Sequence, residues 1–126
     1  MIEHFERPAG LGPVNGYSHA TAGTGRLVAI SGQLPMDADG NIADDPQTQA
    51  RQAFANLTIA LAAAGAHPAD VLRLTVFLTD LADLAAFRTA RDEWLQSRTP
   101  PASTLVQVTA LVNPKAKIEI DALANA

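Results

Sequence analysis

Residues 45–78, DPQTQARQAFANLTIALAAAGAHPADVLRLTVFL, place a helix directly before a strand, and the change of period between them decides the fold class. Asp45 suits the cap of a helix, and Pro46 suits its first position, where a missing N–H loses no hydrogen bond. Ala50, Ala53, Phe54, Leu57, Ala60, Leu61 and Ala64 recur at spacings of three and four, which lines them along one core-facing stripe. Gly65 ends that helix. Val71 to Leu78 is rich in branched residues and bounded by turn formers, so it reads as a strand.

Outward from this pair, Asp80 is expected to cap a second helix whose Leu81, Leu84, Phe87, Arg91, Trp94 and Leu95 form a packed stripe. Pro100 and Pro101 close the following loop, and Thr104 to Ala110 and Lys117 to Ala124 read as two final strands. On the N-terminal side, the segment Gly10 to Gly16 is a loop by turn chemistry. Tyr17 to Ala22 and Leu27 to Ile30 read as two short strands joined by a turn, the second stopped at Ser31-Gly32-Gln33-Leu34-Pro35. Strands, helix, strand, helix, strands make an α+β fold, with two helices on one face of a mostly antiparallel sheet. In the last two strands, Thr104, Val106, Val108, Ile118, Ile120 and Ala122 are expected to face the helices. Ser103, Gln107, Thr109, Lys117, Glu119 and Asp121 are expected to point away, beside Leu105 and Leu123. A sheet covered on one side leaves its other face bare, and self-association is the economical cover.

The 126 residues fit one domain, and 48% hydrophobic against 17% charged residues excludes a disordered chain. Nine Lys and Arg against thirteen Asp and Glu, with no basic run, offer nothing to a phosphate backbone, so nucleic acid is not an expected partner. Zero cysteines exclude thiol chemistry and disulfides. No apolar run approaches the about 20 residues that span a bilayer, and a soluble cytoplasmic protein is expected, with no membrane partner. His4, His19 and His67 are scattered without ligand spacing, so no metal is expected. There is no G-x-S-x-G, and the glycines of Gly10 to Gly12 and Gly23 to Gly25 precede no helix and read as turns.

Six blocks carry a resemblance: Gly16-Tyr17-Ser18-His19-Ala20, Leu27 to Pro35, Gln49 to Leu57, Leu74 to Asp80, Pro101 to Val108 and Lys117 to Ala122. In this order and spacing, across nearly the whole chain, they resemble the signature blocks of the RidA family, also called YjgF or L-PSP endoribonuclease. The resemblance implies a chorismate-mutase-like fold, with a six-stranded mostly antiparallel sheet and two helices on one face. It also implies a homotrimer with ligand clefts between subunits. The activity it implies is hydrolysis of small enamines and imines to a keto acid and ammonia, with no metal or organic cofactor. The family's other label, endoribonuclease, finds neither positive charge nor a histidine pair here.

Carried over residue by residue, the resemblance puts Tyr17 on a cleft tyrosine, Ser31 and Gly32 on a cleft-lining loop, and Glu119 on a glutamate that holds the attacking water. It also exposes three departures. The deaminases hold the substrate carboxylate with an arginine in a block reading Pro-Ala-Arg-Ser, followed four residues later by glutamate. Here Ser103 and Gln107 stand at those positions, and a hydroxyl cannot make a two-pronged salt bridge. Arg88 occupies the place of a cleft asparagine, so a cation is available on another wall. The remaining alternatives are local. Tyr17 can cap an interface, Glu119 can pair with Lys117 or Arg73, Arg88 can be a solvated helix arginine, and Ser103 can be a space-keeper. Two functions stay open: an enamine or imine hydrolase, and a ligand-binding or regulatory trimer that has lost catalysis.

Overall fold

The computed structural model describes residues 2–126. Its elements in chain order are β1 (Ile2–Phe5), β2 (Ala20–Gly23), β3 (Leu27–Gln33), α1 (Pro46–Ala63), β4 (Val71–Leu78), α2 (Leu84–Leu95), β5 (Ala102–Gln107) and β6 (Ile118–Asn125). The signals at both ends of α1 act as their chemistry dictates. The Asp45 carboxylate accepts from the Thr48 N–H at 2.8 Å and from its hydroxyl at 2.9 Å. Past the other end, Gly65 takes a φ of 76°, the left-handed geometry that closes a helix. Asp80 caps a short 3-10 turn over Leu81–Asp83, and α2 follows from it.

Four strands form the main sheet in the order β3-β6-β4-β5. β6 lies antiparallel between β3 and β4, whereas β4 and β5 run parallel. Parallel neighbours need a crossover, and α2 supplies the one from β4 to β5. The expected α+β layering is therefore present, but the expected six-stranded sheet is not continuous. β2 pairs with β1, a strand the sequence pattern did not reveal, in a separate two-stranded ribbon. The strands read at 17–22 and 27–30 are consequently not partners of each other. Ile2–Phe5 has two apolar residues among polar ones, too short an alternation to register before its partner is known.

The core lies between the sheet and the two helices. Val28, Leu74, Val76, Leu78, Ile118, Ile120 and Ala122 meet Phe54, Leu57 and Leu61 of α1, all buried. The helices hold each other through the Phe54 and Trp94 rings, whose centroids lie 5.0 Å apart, and through the Trp94 indole N–H, which donates to the Thr58 hydroxyl at 2.9 Å. At the surface, Arg51 and Glu93 make a two-pronged bond across the helix pair at 2.8 Å, which holds the glutamate below and the arginine above their ordinary pKa values.

One strand has the opposite phase from the expectation. In parallel register, Ser103 stands beside Leu74, Leu105 beside Val76 and Gln107 beside Leu78, so these three share the helix-side face. Thr104 and Val106 join Thr75 and Phe77 on the open face, and Val106 is 42% exposed. β5 is an edge strand with apolar residues on both faces, so its composition leaves the phase undetermined and its pairing with β4 sets it. The open face also carries Leu27, 64% exposed, and Leu123.

Candidate functional site

The phase of β5 creates a cavity. Ser103 and Leu105 face α2, and the loop before β2 closes over the gap between them. Ser18 ties that loop down: its N–H donates to the Pro101 carbonyl at 2.9 Å and its hydroxyl to the Pro100 carbonyl at 2.6 Å. The pocket, open on one side to solvent, has a volume of about 310 Å³. Asn15, Gly16 and Tyr17 line it from the loop, Leu84, Phe87, Arg88 and Arg91 from α2, and Ser103 and Leu105 from β5. Three sequence candidates, Tyr17, Arg88 and Ser103, therefore meet in one place.

The two arginines differ in state. Arg88 is half-buried, and among the described residues its guanidinium makes no hydrogen bond or ion pair, leaving its donors for an incoming anion. Arg91 is buried, which sequence reasoning took as packing alone. Its Nη1 donates to the Asn15 carbonyl at 3.0 Å and its Nη2 to Asn15 Oδ1 at 3.1 Å, while its Nε donates to Asp92 Oδ1 at 3.0 Å. The available signal was an arginine on an otherwise apolar stripe, because a buried cation requires partners.

The other candidates stand elsewhere in the protomer. Glu119 projects from the open face of β6 toward β3, where the strand bulges between Ile30 and Gln33 and accommodates Ser31 and Gly32. A Cβ on Gly32 would fall 2.3 Å from Glu119 Oε2, so glycine leaves the space this carboxylate occupies. Among the described residues Glu119 pairs with neither Lys117 nor Arg73. Gln107 does not line the cavity; its side-chain oxygen accepts from the Leu81 N–H at 2.8 Å at the approach to α2. Tyr17, Arg88 and Ser103 thus lie on one side of the sheet, and Ser31, Gly32 and Glu119 on the other. Among the described residues no cluster of three metal-ligating side chains occurs, and no helix is long and apolar enough to cross a membrane.

Residues 8–126 match the family described as Endoribonuclease L-PSP. A curated 2-iminobutanoate/2-iminopropanoate deaminase of Salmonella typhimurium is 38% identical over 122 residues, covering 93% of this chain and 90% of its own. Protein DfrA of Myxococcus xanthus is 37% identical over 126 residues, covering 98% and 92%. Among solved structures, Escherichia coli TdcF with bound serine superposes with a TM-score of 0.77 at 33% identity, covering 100% of this chain and 98% of that one.

Proposed function

Since the chain belongs to the endoribonuclease L-PSP family, the RidA group that includes imine deaminases, we propose that it is a homotrimer whose intersubunit cleft binds a small 2-imino acid or its enamine and hydrolyses it to the keto acid and ammonia. The observation that carries this reading is the meeting of Arg88, unpaired among the described residues, with Tyr17 and Ser103 around one small cavity. In the trimer, the open sheet face of one copy packs on its neighbours and brings Ser31, Gly32 and Glu119 of that copy to the cavity of the next.

The chemistry then follows. Arg88 holds the substrate carboxylate from α2, in place of a cation at position 103. Glu119 takes a proton from water as the oxygen adds to the carbon of the N-protonated imine, giving a carbinolamine. It returns that proton to nitrogen and takes the hydroxyl proton as the C–N bond breaks; the bond's electron pair leaves with nitrogen, and the keto acid and ammonia remain, the last proton leaving as ammonium. Tyr17 and Ser103 hydrogen-bond the substrate as the charge moves. A second reading, binding without turnover, is favoured by Ser103 itself, since a two-pronged cation there is worth roughly 2 to 4 kcal/mol of positioning, or about 30- to 1000-fold in rate.

A serine or threonine dehydratase supplies the substrate in situ, and semicarbazone formation from the imine measures how fast it disappears. We expect acceleration that is weak beside a relative carrying the arginine, and a modest gain in Ser103→Arg, where two cations crowd one carboxylate. No acceleration at any protein concentration, with carboxylate binding intact, selects the binding-only reading.

A further inference from the structure

We propose that Arg91 is a positioning residue that holds Tyr17 at the cavity by gripping the loop before it, and that it is not itself an anion anchor. This inference deepens the proposed function and rests on the cavity being the site. Three observations carry it. The Arg91 side chain is 8% exposed, and each of its nitrogens is already engaged: Nη1 and Nη2 with Asn15 and Nε with Asp92, whose carboxylate also lies 2.9 Å from Nη2 and offsets the charge. The guanidinium lies directly beneath Gly16, where a Cβ would come within 2.1 Å of its central carbon. Gly16 also takes a φ of 72°, so the loop can pass over the arginine only with glycine there. Tyr17 is the next residue, and among the described residues its hydroxyl makes no hydrogen bond with protein.

On its C-terminal side Tyr17 is held by Ser18, which is bonded to Pro100 and Pro101, so the Arg91 grip fixes the other side of the tyrosine. Its ring meets the His19 ring edge-on at 5.6 Å, and His19 Nε2 lies 2.9 Å from the Gly12 carbonyl. The strong polar grip between this loop and α2 is the pair of bonds from Arg91 to Asn15. The Arg91 guanidinium also packs over the Phe87 ring, 5.8 Å from its centroid, so the grip is anchored in the helix core and does not float in solvent. A lysine keeps the charge but cannot reach the Asn15 carbonyl and side-chain oxygen together.

The chain has a single tyrosine, so 3-fluorotyrosine labelling gives one fluorine NMR signal that reports Tyr17 alone. We expect one narrow signal in the wild type, a shifted or broadened signal in Arg91→Lys and in Asn15→Ala, and an unmoved signal in Lys115→Ala, an exposed position outside the cavity. Asn15 is exposed, so its variant keeps its melting temperature and decides the matter if Arg91→Lys unfolds. Calorimetry with 2-ketobutyrate should show up to about tenfold weaker binding in Asn15→Ala, from a loop loosened by loss of the side-chain half of the Arg91 grip. An unmoved fluorine signal in Asn15→Ala overturns the proposal, as does a folded Arg91→Lys with a wild-type signal. Absence of 2-ketobutyrate binding in the wild type counts against the proposed function, while the fluorine signal still decides the role of Arg91.

Discussion

Replacing Arg88 with alanine tests the relocated anion site most directly. Arg88 contacts no protein acceptor among the described residues, so its removal breaks nothing in the protomer and the melting temperature should stay put. What is lost is a charge-assisted bond to the ligand carboxylate, worth about 1.5 kcal/mol if one donor engages and about 3 kcal/mol if two do. The partial exposure of Arg88 favours the lower half of that range, because water screens the pair. In affinity this is about 10- to 150-fold. Arg91 is poorly placed to take over, since each of its three nitrogens already bonds Asn15 or Asp92 and the Asp92 carboxylate offsets its charge. Calorimetry with pyruvate, 2-ketobutyrate and a neutral amide analogue, on wild type, Arg88→Ala and Arg88→Lys, reads the effect. Lysine should restore part of the acid affinity, because it keeps the charge without the planar fork. Equal acid affinity in wild type and Arg88→Ala would refute the assignment, and an amide that binds the wild type as tightly as the acids would remove the carboxylate from the reading altogether.

Three further outcomes are expected. Light scattering should give three chain masses, and Val106→Asp, which puts a charge on the open sheet face, should shift the mass toward one chain; a wild-type monomer at micromolar concentration would remove the shared-cleft proposal. Gly32→Ala should push the Glu119 carboxylate aside, lowering imine hydrolysis while barely moving the melting temperature, because the atom in the way is the far end of a flexible side chain; undiminished turnover would detach Glu119 from the chemistry. Asp45 has its pKa lowered from 3.8, chiefly by the Thr48 N–H, so its cap stabilises the fold fully above that value and is lost as pH falls through the lower native one. Melting temperatures of wild type and Asp45→Asn should therefore converge as the pH is taken below 3.8, and a constant gap would show that the carboxylate charge plays no part.

Much of this protein is legible locally. The caps of α1, the bounds of β4 and the packed stripe over Ala50 to Leu61 follow from interactions within a few residues, so composition and spacing suffice. The family blocks likewise located Tyr17 and Ser103, and the resemblance marked Arg88 as a departure; the fold gathers all three at one cavity. Arg91 escaped because a helical period says which residues share a stripe, and says nothing about which loop will cross it.

What the sequence determined by itself is the α+β order of elements and the identity of the residues offered for chemistry. Only the tertiary structure decided which of them meet. An alternation of period two states that Ser103 and Thr104 point to opposite faces, but a shift of one residue exchanges those faces at no local cost. The parallel pairing of β5 with β4 makes the choice: it turns Ser103 toward α2 and leaves Val106 on the open side. Glu119 is held across the sheet from that cavity for the same reason, since its place on β6 is set by strands distant in sequence.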